Sequence, residues 1–597
     1  MPAIAPMGRS YRKPRHLPMK GRHNPCGRAP ITPSLPLYVK PVPGPLKKMP
    51  APLDPSLYYL TNFHRALDWI DERYADLLDA EEARFIADFR ALQLPSRALL
   101  VRLVMRKGPH FRASKLNYAE IGDIPNAAAP LLELGWLDDA CPLALDELLP
   151  LLLKDELLAR FREDLPRGPL KKADLYEHLH AYHGQVQPFA GWYPQLDSLY
   201  TLMATPLCDR LRLLFFGNLQ QDWSEFVLAD LGIFRYESVP FTTDSRAFRR
   251  RDDLEAYIHL WNGAVRFEAG EPIAELVAEL GDFASDNDYL QARHGRLLYR
   301  MAYQLEREGE LENALALYQR TVTGGSRQRQ IRVLERLQRF EEAHALVQAA
   351  RAAPESDGEL QLVERALTRL VRQLGLPKEK TARPAPPLRI DLELPRPDVN
   401  VEFAVQAVLH EEQAPVHYVE NALVCSLFGL LCWEVIFAPL PGAFFHPFQA
   451  GPSDLNRGDF VSRRSESFAA RLALLDSDAY RVAIRETYAA KHGILSPFVH
   501  WELLDENLLD QALHCLPAAH LKLWFERLLA DPKANRAGMP DLIQFWPAEA
   551  RYRMIEVKGP GDRLQDNQKR WLTFCAEHGM PVEVCYVRWQ GEADESE

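Results

Sequence analysis

Residues 538 to 571 read GMPDLIQFWPAEARYRMIEVKGPGDRLQDNQKRW. Two apolar runs in this stretch, LIQFW and YRMIEV, have the length and composition of neighbouring core strands joined by a PAEA turn. Three charged side chains interrupt them: Asp541, Glu556 and Lys558. Pro540 and the run after it place Asp541 at the entry of the first strand. Along the second strand, Glu556 and Lys558 are two residues apart. Side chains alternate faces in a strand, so both point the same way while Val557 points opposite. With Asp541 beside them on the partner strand, two carboxylates and one ammonium converge.

A hard divalent cation such as Mg2+ is held by one or two carboxylates plus carbonyl and water oxygens, and it keeps positions free for a phosphate oxygen. Bound there, it lowers the pKa of a water, polarises phosphorus and neutralises charge on the leaving oxygen. A lysine beside it can orient or deprotonate the attacking water. The set therefore suits phosphodiester hydrolysis without a covalent intermediate. A bare Pro-Asp and Glu-x-Lys match is short, however. An Asp before a strand also caps turns, and a Glu-x-Lys pair also forms surface ion pairs worth ~0 to 1 kcal/mol. The following text decides between these readings. GPGDRLQDNQKRWLTFCAEHG gives a Gly-flanked turn and a helix, and PVEVCYVRW a further strand, which is the element order of a nuclease core.

The rest of the chain is organised around other units. At 597 residues it exceeds one hydrophobic core, and ~100 to 200 residues per domain gives three or four domains. The 47% apolar and 26% charged composition is that of a soluble globular protein, and no uncharged apolar run approaches the ~20 residues a membrane helix needs. Eight cysteines lie scattered without a CxxC pair. That argues for a reducing compartment, cytoplasmic in a bacterium or nuclear in a eukaryote, and against structural zinc. The net charge of -11 does not advertise a nucleic-acid binder, but electrostatic footprints are local.

Residues 1–55 form a basic, Pro-rich segment, with ten Lys or Arg and no acid up to residue 53. Such a stretch is expected to be disordered: a solvated tail, an arm touching phosphates, or a transit-like segment without amphipathic periodicity. From 56 to 145, apolar residues recur at three and four, which predicts amphipathic helices. In 146–182, LLLKDELLARFREDLPRGPLKKADLYEHL reads as helix, tight PRGPLKK loop and helix. It resembles the SAP module, a small DNA-binding unit, with Lys171 and Lys172 where backbone contacts would be expected. A helical connecting region covers 183–285.

Residues 286–375 resemble tetratricopeptide helix pairs, with Leu298, Ala302, Leu305, Ala314 and Tyr318 at matching offsets and a degenerate second copy around Ala343. The basic stretch SRQRQIRVLERLQR within it would lie on a duplex or form a solvated helix face. The Pro-rich segment 376–400 reads as a linker. VHYVENALVCSLFGLLCWEVIF (416–437) is expected to be one buried helix, apolar nearly all round, with Glu420 at its start. The acidic end, 591–597, reads as a disordered tail. No GxxxxGKS/T, HExxH or GxSxG motif is present, and the histidines lack zinc-like spacing.

Taken together, GMPDL, EVKGPGDRLQDNQKRWL and VEVCYV resemble the VRR-NUC domain, a branch of the PD-(D/E)xK nucleases, over about residues 480–590. With its SAP-like and tetratricopeptide-like parts, the whole chain is similar to the Fanconi-associated nucleases, of the bacterial type. The resemblance implies a multidomain fold, mainly α-helical over the N-terminal two thirds, with a C-terminal α/β nuclease domain over 401–590.

It also implies roles for particular residues. Asp541 and Glu556 would be metal carboxylates and the Val557 carbonyl would complete the shell of Mg2+ or Mn2+. Lys558 would be the catalytic lysine. Glu420 would be a remote, helix-borne ligand, although the text around it departs from the Gly-Glu-Gly-Ser form of eukaryotic members. Gln568 would sit near the active site, while Arg563, Lys569 or Arg570, and Arg463 and Arg464 of the SRR stretch, would hold DNA.

The implied activity is 5'-flap incision and 5' to 3' exonuclease action on branched or 5'-flap duplex DNA in interstrand crosslink repair. Two alternatives stand beside it. One is a restriction-like or Holliday-junction nuclease on the same core. The other is a non-catalytic scaffold with a decayed site, against which stands the presence of all three of Asp541, Glu556 and Lys558.

Overall fold

Apolar residues spaced at three and four wind Tyr58–Tyr74 into helix α1, which buries Phe63, Leu67 and Ile70. The computed structural model describes residues 57–165, 171–180, 182–194, 197–223, 234–281, 283–321, 323–377, 387–396 and 398–591. The basic N-terminal segment, the 166–170 part of the PRGPLKK loop and the acidic residues 592–597 lie outside them. Helix α2 (Ala80–Ala91) starts at Asp79, whose carboxylate accepts the Glu82 N–H. Helices α3 (Leu94–Val104) and α4 (Ile124–Glu133) complete the first helical group.

This region is not purely helical, nor is 183–285. Strands β1 (His110–Arg112) and β2 (Leu137–Asp138) pair antiparallel on either side of β3 (Leu199–Leu202). The middle strand thus comes from beyond the SAP-like unit, and elements of two to four residues are too short to show a period. In that unit, α5 (Lys154–Arg160) and α6 (Lys172–His180) pack with Phe161, Leu179 and Trp192. Arg112 fastens it to β1, bonding both oxygens of Glu156 at 2.6 and 2.9 Å and Asp197 at 3.0 Å.

Five helices follow: α7 (Asp288–Glu308), α8 (Leu311–Gln319), α9 (Ser326–Arg336), α10 (Phe340–Ala352) and α11 (Asp357–Gln373). Each packs on the next. Leu298, Ala302, Ala314, Tyr318 and Ala343 are buried as the repeat pattern requires. The arginines of SRQRQIRVLERLQR divide: Arg327 and Arg329 are tied into the solenoid, while the Arg332 and Arg336 side chains are 61% and 41% exposed. Arg329 donates to buried Glu306 at 2.6 Å, Arg332 and Arg336 approach the same carboxylate at 3.5 and 3.7 Å, and Arg327 clasps Glu359. Glu306 alone offsets one of the three charges gathered around it.

The C-terminal unit is a five-stranded sheet in the order β4 (Leu388–Leu394), β8 (Val582–Trp589), β7 (Arg551–Lys558), β6 (Leu542–Trp546), β5 (Val416–Tyr418). Strands β4 and β7 run parallel to β8, while β6 runs antiparallel to both of its neighbours, β7 and β5. Helix α12 (Val401–Leu409) covers one face through Val405. On the other face, α13 (Leu423–Leu431), α14 (Ala518–Ala530) and α15 (Asp566–Glu577) enclose the largest core.

Two expectations are corrected here. Part of the 376–400 linker is a strand, because Ile390, Leu392 and Leu394 alternate and pair along β8. The run 416–437 is not one helix. Its first three residues pair with β6, a turn follows, and the wholly buried α13 begins at Leu423.

Candidate active site

Along β7 one row of side chains faces the large core: Tyr552 and Met554 pack there, and Glu556 and Lys558 continue the row at the strand's C-terminal end. Leu542 pairs with Ile555, and extending that register by one residue sets Asp541 opposite Glu556. The alternation therefore delivers all three charged groups to one spot, at the strand end where ligands of α/β folds characteristically bind.

The spot is dry. Glu556 has no exposed surface, Asp541 is 6% exposed and Lys558 7%. The Val557 N–H donates to Asp541 Oδ2 at 2.8 Å. Lys558 Nζ donates to Glu556 Oε1 at 2.6 Å and to the Val557 carbonyl at 3.0 Å. Glu556 Oε2 has no hydrogen-bond partner, and a lone buried carboxylate oxygen is costly unless a further positive group meets it.

The electrostatics say the same. Burial, then the facing Asp541 charge, pushes Glu556 up to about 8 in spite of Lys558. Burial pushes Asp541 up to about 6, with Glu420 and Glu402 adding to it and the Val557 N–H and Lys558 opposing. A pair of carboxylates that retains protons near neutrality is short of positive charge. The donors that Lys558 bridges, Glu556 Oε1 and the Val557 oxygen, are hard oxygens, as Asp541 is. This chemistry fits Mg2+ or Mn2+.

Glu420 is close enough to bias both carboxylates, but it is not helix-borne. It lies in the turn between β5 and α13, exposed, accepting the Tyr418 hydroxyl at 2.6 Å and an Asn421 amide N–H at 3.2 Å. Among the described residues, no three Asp, Glu, His or Cys side chains are grouped to hold an ion by themselves. A cation would lean on the Val557 carbonyl and on water. The departure from Gly-Glu-Gly-Ser is conformationally mild, since Asn421 takes φ +55°, a region glycine otherwise serves.

The remaining expectations divide. Gln568, on the first turn of α15, accepts the Gln565 N–H at 2.8 Å through Oε1. It caps the helix, and its amide Nε2 remains as a donor. Arg563 and Lys569 are exposed beside it. Arg570 instead reaches Gln361 at 2.7 Å, and Arg365 bonds Asp566 at 2.6 and 2.7 Å, which joins α15 to the solenoid.

Arg463 and Arg464 are engaged within the fold. Both grip Asp454, itself fully buried, at 2.6 and 2.9 Å, and Arg464 is 3% exposed. Lys172 spends its ammonium on the Leu152 carbonyl at 2.9 Å, whereas Lys171 is exposed. The residues not foreseen are Tyr418, Asn421 and Glu402. An apolar-polar alternation in VHY and an Asn directly after Glu420 were the signals available.

Comparison with known proteins agrees with this fold. Family models match for the VRR-NUC domain over residues 476–589, the FAN1 HTH domain over 57–138, and the Fanconi anemia-associated nuclease SAP domain over 142–192. A Fanconi-associated nuclease 1 homolog of Pseudomonas aeruginosa is 54% identical over 555 residues, covering 92% of this chain and 99% of its own. The Arabidopsis thaliana homolog is 24% identical, over 89% of this chain and 67% of its own. A crystal structure of paFAN1 bound to a 2nt 5' flap DNA with gap superposes with a TM-score of 0.85 at 54% identity, over 91% of this chain and all of that one. The chain, a hydrolytic nuclease with a VRR-NUC domain, belongs to the Fanconi-associated nuclease family.

Proposed function

We propose that the chain hydrolyses phosphodiesters of 5'-flap duplex DNA by a Mg2+- or Mn2+-dependent mechanism, as a flap endonuclease and 5' to 3' exonuclease acting in interstrand crosslink repair. The observation that carries the chemistry is the buried Asp541, Glu556, Lys558 set with its unpartnered Glu556 oxygen. Two related structures with 5'-flap DNA support the substrate class, and the family name supports the repair role.

Asp541, Glu556 and the Val557 carbonyl would hold the cation, which supplies an acidified water and polarises the phosphodiester. The Val557 N–H fixes the Asp541 carboxylate, so one oxygen keeps its orientation when substrate enters. Lys558 Nζ, released from Glu556 Oε1, donates an N–H to the attacking water and so orients it, and the water gives its proton to solvent as oxygen attacks phosphorus. The P–O ester bond opposite then breaks, and the leaving oxygen takes a proton from solvent, giving a phosphomonoester and a hydroxyl. Gln568 Nε2, Arg563, Lys569 and Lys171 are proposed phosphate contacts, which set affinity and salt dependence rather than base preference.

Asp541→Ala tests the assignment: Mg2+-dependent cleavage of a 5'-flap duplex should fall by ~10^3-fold or more, and retained cleavage would place the chemistry elsewhere. Comparing flap, nicked and four-way-junction duplexes separates the flap reading from a junction nuclease.

The raised carboxylates add a pH signature. Binding a cation must expel the proton held by Glu556 up to about pH 8. The half-saturating Mg2+ concentration should therefore drop about tenfold per unit between pH 6 and 8 and flatten above, as read from cleavage titrations at each pH. A requirement independent of pH across that window would contradict it.

A further inference from the structure

Asn421 has a conformation and a set of contacts that the proposed chemistry does not use. Its φ of +55° lies in the left-handed region, disfavoured for residues with a Cβ. Such strain persists where surroundings enforce it. The enforcement is visible. Asn421 Oδ1 accepts the Gly538 N–H at 2.8 Å and the Met539 N–H at 3.0 Å, while Nδ2 donates to Glu420 Oε1 at 3.2 Å. One side chain thus ties the turn carrying Glu420 to the segment leading into Asp541. The backbone adds one tie of its own, the Val419 N–H to the Asp541 carbonyl at 2.8 Å.

The far side of that segment is equally fixed. Gly538 has φ +94°, and a Cβ there would come 2.7 Å from the Asn567 carbonyl carbon. The Gly538–Asp541 stretch is held between the first turn of α15 and Asn421. Its position relative to Glu420 is therefore set by the Asn421 side chain together with the Val419 to Asp541 backbone bond.

We propose that Asn421 is a positioning residue that clamps the Glu420 turn to the Gly538–Asp541 segment and so fixes the distance from the remote carboxylate to the Asp541 and Glu556 pair. It touches neither substrate nor cation. Its effect is on how well Glu420 supports a cation held by the other two, and in that respect the inference rests on the proposed cation site. Simple backbone accommodation would give a different outcome, because glycine serves φ +55° without strain.

Asn421→Gly in the full-length chain discriminates, since it relieves the backbone and removes only the clamp. Expected are a melting temperature in EDTA and a flap-DNA affinity in EDTA, measured by fluorescence anisotropy, close to those of the unmodified chain. Mn2+ binding followed by calorimetry should weaken about tenfold, and kcat for flap cleavage should fall with KM unchanged. Unaltered Mn2+ affinity in Asn421→Gly overturns the clamp while leaving the cation site standing. If the unmodified chain and Asp541→Ala show the same lack of Mn2+ binding, the cation site itself falls, and the clamp with it.

Discussion

Glu556→Gln is expected to abolish flap cleavage, by ~10^3-fold or more, and at the same time to raise the melting temperature in EDTA at pH 8.5. The loss follows from removing an anionic ligand while conserving shape. The gain follows from linkage. Glu556 keeps its proton in the folded chain up to about pH 8, whereas an unfolded glutamate releases it in the ordinary carboxylate range. Holding the proton favours the folded state at acid pH, below the unfolded value, and that margin is lost as pH rises through about 8. At pH 8.5 the native fold carries a buried carboxylate facing Asp541, with one oxygen unpartnered. The amide of Gln removes that charge, a relief of ~2 kcal/mol for a buried, partly paired group. Thermal unfolding of the two proteins from pH 5 to 9 should show curves that coincide in acid and diverge in alkali. Equal pH dependence would mean that Glu556 is not strained by its surroundings.

Arg464→Ala is expected to act in the opposite way, lowering stability by ~3 kcal/mol with flap-DNA affinity per folded molecule unchanged. Arg464 donates to both oxygens of Asp454 at 2.9 and 3.0 Å, to the Phe460 carbonyl at 3.1 Å, and lies over the Phe460 ring at 4.3 Å. Its removal leaves a fully buried Asp454 with Arg463 alone. Breaking one side of a buried pair costs far more than the pair contributes, because the remaining charge loses its compensation. Thermal unfolding and anisotropy at a permissive temperature separate the two effects. A large loss of DNA affinity in a stable protein would restore the DNA-contact role.

These two residues also show what the amino-acid text reveals and what it withholds. Asp541, Glu556 and Lys558 were readable because a strand's period of two is strict: charges spaced two apart inside an apolar run must share a face, whatever the rest of the chain does. Arg464 advertises charge equally well. What neutralises it is Asp454, ten residues earlier, and only folding brings the two together. Lys172 is a milder case, one of its ammonium hydrogens going to the Leu152 carbonyl.

Glu420 illustrates a second limit. The long apolar stretch from Ala422 onward draws the three residues before it into a helix pattern, since VHY alternates over too few positions to establish a period of its own. The break is conformational, at Asn421. Strand β4 was hidden for the converse reason. At the edge of the sheet, half of its residues are exposed and charged, and the prolines on either side gave it the look of a linker.

The helical two thirds were legible as helices, because caps and periodicity are local. Their role in holding the nuclease unit was not, because it rests on pairs such as Arg365 with Asp566, separated by 201 residues in the chain. Those contacts join the last solenoid helix to α15, which begins directly behind the site and carries Gln568.

The measurement that bears most directly on the central claim is a crystal structure of the full chain with a 5'-flap duplex and Ca2+, a cation expected to bind without supporting cleavage. One ion is expected between Asp541, Glu556 and the Val557 carbonyl, with Lys558 Nζ withdrawn from Glu556 and directed at the scissile phosphate. An intact Lys558 to Glu556 ion pair, with the ion and the scissile phosphate located elsewhere, would contradict it.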